Sequence, residues 1–352
     1  MPALADVIKN ILVTGGAGYI GSHTCVELLH AGYAVTVFDN YCSSKPEALN
    51  RVERITGKPL TRVHGDVRDR AALEAALRTS GATAVIHCAG LKAVGESAVQ
   101  PLQYYDNNVV GSLRLLEAMQ ACSVKTLVFS SSANVYGAPQ FLPCTEDHPL
   151  APTNPYGRSK RMVEDMLRDA FASDASWQFC ILRYFNPVGA HASGLMGEDP
   201  CGAPNSLVSF IAQVAVGQRE CLAVFGDDYA TPDGTGVRDY IHVTDLADGH
   251  LRALQWMVAQ SDNGQSGGLC RAFNLGTGIG YSVLEMVRAF EAASGKPVPC
   301  RVQARRAGDV AGSYANADAA QQVLGWQATR SLQTMCADTW LWQSNNPLGY
   351  AD

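Results

Sequence analysis

Ile11-Leu-Val-Thr-Gly-Gly-Ala-Gly-Tyr-Ile-Gly21 decides how the rest of the chain is read. A short apolar run breaks into glycines at 15, 18 and 21; Ile20, Val26, Leu28 and Leu29 then carry a helical pattern that stops near Gly32. Strand, glycine turn and helix in that order aim backbone N–H groups and the positive end of a helix at one point, which suits a phosphate. Glycines in the turn let a pyrophosphate approach the backbone with no Cβ in the way. Gly-x-x-Gly-x-x-Gly is a weak signal alone. In this context it predicts a dinucleotide site built on Gly15, Gly18, Tyr19, Ile20 and Gly21. The next strand, Ala34 to Phe38, ends in Asp39, placed to accept hydrogen bonds from a ribose 2′-hydroxyl and to repel a 2′-phosphate. Asn40 follows, not a compensating arginine, so the pattern favours NAD over NADP. A turn or helix cap is the plainer reading of Asp39.

Working outward, β–α units repeat. Arg62 to His64 runs into Gly65-Asp66-Val67, and a helical segment covers Arg70 to Arg78. Ala84 to Cys88 reads as a buried strand ending in Ala89-Gly90, where small residues let a cofactor cross the strand end. Asn107 to Cys122 reads as a helix with Val109, Leu113, Leu116 and Met119 on one side, and Leu127 to Ser130 as a strand entering Ser131-Ser132. The alternation implies a parallel sheet covered on both faces, an α/β fold of the doubly wound Rossmann type. Ligands of such sheets bind outside the carboxyl ends of the strands, where Asp39, Asp66, Gly90 and Ser130 to Ser132 all fall. Past Ile181 to Tyr184 the texture changes to closely spaced glycines and prolines, then a helix (Ser206 to Val216), a strand (Leu222 to Phe225) and turns from Asp227 to Gly236. We expect a boundary near Pro187: 1–186 as the dinucleotide domain and 187–352 mainly as a smaller α/β substrate lobe. The chain is expected to return to the main sheet near 240–255, with Asp245 capping a helix there.

The chemistry is expected in Asn154-Pro-Tyr-Gly-Arg-Ser-Lys160. Asn154 suits an N-cap and Pro155 the first helical position. Met162, Val163, Met166, Leu167 and Ala170 then recur at helical spacing. Tyr156 and Lys160, four apart, project from one side of that helix. An ammonium beside a phenol favours the phenolate over an isolated pKa of ~10, which makes Tyr156 a candidate general base. A tyrosine and a lysine on an exposed face is the plainer reading. His87 and His242 sit in strands and read as core residues, and Ser130 to Ser132 lack the Gly-x-Ser-x-Gly frame of a hydrolase nucleophile.

Composition narrows the partners. Among 352 residues, 17% are charged and 47% hydrophobic, with a net charge of −6 and no Lys/Arg run, which argues against a nucleic-acid or anionic-membrane surface. No apolar stretch reaches the ~18–20 residues of a membrane span, and Met1 to Asn10 lacks the features of a signal peptide. Eleven scattered cysteines without a Cys-x-x-Cys pair point to a reduced, cytoplasmic compartment and no metal site.

Taken together, these blocks resemble an extended short-chain dehydrogenase/reductase, and more closely the UDP-glucose 4-epimerase family. The resemblance is carried by Thr14 to Thr24, Ala89-Gly-Leu-Lys-Ala-Val-Gly-Glu-Ser97, Tyr104-Tyr-Asp-Asn-Asn108 and Arg183-Tyr-Phe-Asn-Pro-Val-Gly-Ala190. It is also carried by Met196-Gly-Glu-Asp199, Gly234-Thr-Gly-Val-Arg-Asp-Tyr-Ile-His242 and Trp340-x-Trp-Gln343. It implies interconversion of UDP-glucose and UDP-galactose with a tightly held NAD. Tyr156 would take the proton of the sugar 4-hydroxyl, Lys160 would hold the nicotinamide ribose, and Ser132 would hydrogen-bond the 4-oxygen. On the NAD side it implies Asp39, Asn40, Ser43, Ser44, Asp66, Val67, Cys88, Ala89, Gly90, Lys92, Asn107, Ser130 and Tyr184. On the substrate side it implies Lys92, Phe185, Asn186, Ser206, Leu207, Ala223, Val224, Phe225, Arg238, Tyr240, Arg306, Asp309 and Ser313. A surface ion pair is the plainer reading of each arginine. It further implies a homodimer packed through the helices near 107–122 and 156–172.

Three departures stand out. Ser43 replaces a frequent Asn, Asn134 a frequent Thr, so that a hydroxyl near the sugar is absent, and Ser206 the second Asn of a Pro-Asn-Asn-Leu block. Ser313, where relatives restricted to glucose and galactose carry a bulky Tyr, implies room for UDP-GlcNAc and UDP-GalNAc, unless Tyr314 swings into the space. A nucleotide-sugar 4,6-dehydratase is the nearest rival, but its Asp-Glu after the Ser/Thr is Ala133-Asn134 here. A non-catalytic NAD sensor on the same fold typically loses the Tyr/Lys pair, which this chain keeps.

Overall fold

The computed structural model describes residues 9–350 except 203, 205, 263–267 and 307. Most of the Met1 to Asn10 reading, and the Asn before Ser206, therefore lie outside the described residues. The chain opens with β1 (Asn10–Thr14), α1 (Tyr19–His30), β2 (Ala34–Asp39), α2 (Glu47–Thr56), β3 (Thr61–His64), α3 (Arg70–Ser80) and β4 (Ala84–His87). Then come α4 (Val94–Val99), α5 (Pro101–Tyr104), α6 (Gly111–Ala121), β5 (Thr126–Ser130), α7 (Pro155–Ser173) and β6 (Gln178–Tyr184). The remainder is β7 (Asn186–Val188), α8 (Leu207–Ala215), β8 (Leu222–Phe225), β9 (Val237–His242), α9 (Val243–Asp262) and β10 (Leu269–Leu275), followed by β11 (Gly280–Ser282) and α10 (Val283–Ser294). β12 (Cys300–Gln303), β13 (Gly312–Ser313), α11 (Asp318–Leu324) and α12 (Leu332–Asn345) complete it.

Seven parallel strands form the main sheet in the order β10-β6-β5-β4-β1-β2-β3. Ile11, Leu12 and Val13 are fully buried, as a central strand covered on both faces requires. One face packs against α1, α2 and α9 through Val26, Leu28, Leu49 and Leu254, the other against α3, α6 and α7 through Leu73, Leu115, Val163 and Leu167. Beyond β6 a second sheet joins β7, β9, β11 and β13, and β8 pairs with β12. Val208, Ile211, Val224, Tyr240, Met286 and Phe290 form the core beneath them.

Two expectations change. The helix read from Asn107 begins as a π-helical turn over Tyr105–Val110 before α6, and the extra residue in that turn rotates the pattern. Leu115, Leu116, Ala118 and Met119 face inward, and Leu113 stands 40% exposed. The chain returns to the main sheet within the expected 240–255 span as the helix α9, followed by β10, while the strand before it, β9, belongs to the second sheet. Asp245 lies inside the first turn of α9, and its carboxylate receives Thr329 N (3.0 Å) and Arg330 N (2.9 Å) instead of capping that helix.

Candidate active site

Strand order reverses at β1, whose neighbours β2 and β4 lead the chain away in opposite directions, and such a reversal opens a crevice at the strand ends. Gly15, at φ +68°, lies so close to the β4 end that a Cβ on it would meet Ala89 N at 2.6 Å; one on Gly21 would collide with the Gly15 carbonyl. Gly90 is held the same way, since a Cβ there would stand 3.3 Å from both Asn108 Oδ1 and Lys160 Nζ. The N-terminus of α1 has no side-chain cap, so its first N–H groups face this crevice. Asp39 ends β2, and its carboxylate caps the turn that follows. Its Oδ2 accepts Ala17 N (2.9 Å), and its Oδ1 accepts Tyr41 N (2.8 Å) and Ser44 Oγ (3.0 Å). A carboxylate has about four acceptor positions, so one stays free for a ribose hydroxyl. Glycine cradle, uncapped helix end and strand-tip carboxylate together fit a dinucleotide.

Around that cradle, Asn40 Nδ2 donates to Asp66 (3.0 Å), whose carboxylate also takes the Arg68 guanidinium at 2.7 and 2.8 Å and is held well below the usual carboxylate range, chiefly by that arginine. Val67 is buried and Ser43 exposed. Asn107 Nδ2 donates to Asn108 Oδ1 (3.0 Å). The Cys88 thiol, pushed up to about 11 by burial, touches Ser130 Oγ at 3.3 Å. Tyr184 acts on the same group, its phenol drawn down by Ser130 against a larger upward push from burial. Lys92 Nζ is paired with Glu198 (2.6 Å), and Tyr19 Oη donates to Gly189 O (2.6 Å).

Asn154 caps α7 through Oδ1, which accepts Gly157 N at 2.8 Å. The first turns of α7 then bring Tyr156 and Lys160, 6% and 4% exposed, to the end of β5. Ser132 acts on the Tyr156 phenol and draws it down, and Lys160 Nζ donates to the Ser130 carbonyl (2.8 Å). Tyr156, Lys160 and Ser132 are thus brought together, but the expected lowering of the phenol is not seen. Burial pushes the Tyr156 phenol up, and only the Ser132 hydrogen bond pulls it back. Burial likewise brings the Lys160 ammonium down to about 8. Both charged forms are desolvated, and the ammonium is turned toward a carbonyl.

Sequence reasoning missed what holds the trio. Glu164, one turn beyond Lys160, is fully buried; it accepts Ser131 Oγ (2.6 Å) and the Arg183 guanidinium (2.7 Å). Arg183 continues to Tyr136 Oη (3.1 Å), which donates to Asn274 (2.6 Å). Asn108 bonds Leu91 N and O and Ser159 Oγ, tying the turn after β4 to α7. His250 on α9 holds Ser130 Oγ at 2.7 Å. Spacing could have found Glu164, since it continues the Tyr156–Lys160 series at i+8; the others come from distant elements.

On the substrate side Phe185 is buried and Asn186 exposed. Ser206 caps α8, just before Leu207, and donates to Glu198 (2.8 Å). On β8, Val224 points into the lobe core, leaving Ala223 and Phe225 on the other face. Arg306 lies over the Phe225 ring at 4.6 Å and pairs with Asp309 at 2.9 Å. Tyr240 is buried on β9; Ser313 on β13 registers with Arg238. Tyr314 leans toward Gly280, where an added Cβ would meet its ring at 3.1 Å.

A family model described as GDP-mannose 4,6 dehydratase matches residues 12–339. The chain is 57% identical over 340 residues to the UDP-glucose 4-epimerase of Bacillus subtilis, covering 97% of this chain and 98% of that protein. Its fold superposes with a TM-score of 0.91 on the Bifidobacterium longum UDP-glucose 4-epimerase crystallised with NAD+ and UDP, at 52% identity over 97% of this chain and 100% of that one. The Campylobacter jejuni UDP-Glc/GlcNAc 4-epimerase aligns with a TM-score of 0.81 and 35% identity, over 96% of this chain and 99% of that one.

Proposed function

This chain belongs to the UDP-glucose 4-epimerases of the extended short-chain dehydrogenase/reductase family, and from that premise we propose how its own residues perform the reaction. It is an NAD-dependent isomerase that interconverts UDP-glucose and UDP-galactose. The observation that carries the reading is the buried Tyr156–Ser132–Lys160 group at the mouth of the glycine cradle. When bound, NAD supplies the acceptor that takes hydride from sugar C4 and returns it to the opposite face. Tyr156 removes the 4-hydroxyl proton as hydride leaves and gives a proton back after the 4-keto sugar has turned. Ser132 gives its one proton to the phenolate and, once Tyr156 has taken the sugar's proton, to the 4-oxygen in turn; Lys160 supplies positive charge and a grip on the cofactor ribose. The sugar must turn freely, so binding strength comes from the nucleotide, through Arg238, Arg306 and the β8 backbone. A dehydratase is disfavoured: the positions after Ser132 are Ala133 and Asn134, without the acid and base that elimination of water needs.

Purified protein given UDP-galactose and no added NAD is expected to form UDP-glucose. A preparation without bound dinucleotide that depends on NADP overturns the Asp39 argument, and a 4-keto-6-deoxy product overturns the reaction. Ser313, in register with Arg238, is far smaller than a tyrosine, which supports UDP-GlcNAc and UDP-GalNAc as substrates too. Ser313→Tyr should abolish turnover of that pair and spare the plain one, whereas a wild type inactive on UDP-GalNAc sinks the idea. We also place the enzyme in the cytoplasm as a homodimer of galactose metabolism. Leu113 and Met162, 40% and 45% exposed on α6 and α7, support that interface, which mass measurement in solution tests.

A further inference from the structure

Asn134 stands where a hydroxyl was expected, and what it does can be followed atom by atom. Asn154 commits its Oδ1 to Gly157 N at 2.8 Å, so the end of its side chain that faces the Ala133–Val135 turn is the donor, Nδ2. That donor meets Asn134 Oδ1 in a long contact of 3.5 Å. Pairing donor with acceptor fixes which way the Asn134 amide points. Its Nδ2 therefore turns to Ser132 Oγ at 3.1 Å, and its backbone N–H reaches the same oxygen at 3.2 Å. The approach depends on Gly157: a Cβ there would stand 2.6 Å from the Asn134 carbonyl.

A serine hydroxyl has one proton to donate and two lone pairs. Both lone pairs of Ser132 receive N–H groups from Asn134, so the only capacity left is donation. We propose that Asn134 is a positioning residue that locks Ser132 as a donor toward Tyr156, so that the Asn154 cap, the Asn134 amide and the Ser132 hydroxyl together favour the ionised base. The proposal rests on the epimerase reading, and the departure from a hydroxyl at 134 replaces an ambidextrous group by one that only donates on this side. Two other titratable groups act on Tyr156, Tyr104 from α5 and Tyr184 from β6, while Lys160 on its own helix is turned to the Ser130 carbonyl.

The test is the pH dependence of kcat/KM for the NAD-loaded enzyme with UDP-galactose, whose acid limb reports ionisation of the essential base. Losing the donated bond raises the phenol, so the limb moves to higher pH. Asn134→Ala is expected to move it by about one pH unit, roughly a tenfold loss of rate on that limb. Ser132→Ala moves it at least as far, and adding Asn134→Ala to Ser132→Ala moves it no further. Asn134→Asp keeps the shape and the backbone bond but replaces the amide donor by an acceptor. It should move the limb further than Asn134→Ala, and most of that shift should vanish on the Ser132→Ala background. An unmoved limb in Asn134→Ala, or a shift that persists undiminished without the Ser132 hydroxyl, overturns the proposal while leaving wild-type epimerisation standing. If the wild type does not epimerise UDP-galactose, the functional reading itself has failed.

Discussion

The two halves of the site are built differently. On the sheet side Tyr156, Lys160 and Ser132 are buried, and Glu164 and Arg183 behind them are 0% and 2% exposed. On the substrate side the Arg306 side chain is 61% exposed and, among the described residues, is ion-paired with its near neighbour Asp309. Chemistry needs reacting groups held to within fractions of an ångström, which buried networks provide. Recognition of a nucleotide diphosphate needs arginine forks free to turn from a protein carboxylate to a phosphate, which exposed pairs permit because they are worth only ~0–1 kcal/mol. On the proposed roles, the contrast makes the enzyme rigid where a proton would move and adjustable where the nucleotide would be held.

The contrast can be broken from the rigid side first. Tyr156→Phe should lower kcat by about 10²–10⁴-fold while the dissociation constant for UDP changes little. Turnover close to wild type would remove Tyr156 from the mechanism, and steady-state kinetics with isothermal titration would show it. Next in size is Glu164→Gln, which leaves Arg183 buried without its counter-charge. Breaking a buried pair from one side costs about 3–5 kcal/mol, so thermal unfolding should occur well below wild type. A melting temperature within a degree or two of wild type would mean that the network is not what fixes α7.

Acid sharpens the same point. Burial alone would push the Glu164 carboxyl up, but Arg183, Ser131 and Arg168 hold it below its ordinary value. A carboxyl depressed in the folded state contributes stability fully above the unfolded value of about 4, and loses it as pH falls through the folded value. Wild type should therefore lose melting temperature on acidification below ~pH 4 more steeply than Glu164→Gln, which has no such proton to take up. Parallel curves would count against the pair. The smallest effect belongs to the adjustable side. Arg306→Ala should raise KM for UDP-galactose by roughly tenfold, one charge-assisted contact's worth, with kcat within about twofold and the melting temperature unchanged. A fall in kcat as large as that of KM would show that the arginine orients the reacting sugar, against the division drawn above.

The sequence alone determined the parts that are local. The Ile11 to Gly21 turn, the tip of β2 at Asp39 and the Asn154–Lys160 helix start were legible, because strand, turn and cap signals act over a few residues. Patterning failed at α6, where a π-helical turn broke the 3.6-residue period, and at β9, a strand by composition whose sheet is set by its partners. What only the tertiary structure decided is how the base is governed. Tyr156 and Lys160 at helical spacing suggested an ammonium lowering a phenol, but burial raised the phenol and turned the ammonium to the Ser130 carbonyl. Desolvation depends on everything packed around a group, and Glu164, Arg183, Asn134 and His250 meet at the end of β5 from four separate stretches of chain. Spacing along a sequence fixes which side of a helix a residue lies on; only the packing of the other elements fixes what that side faces.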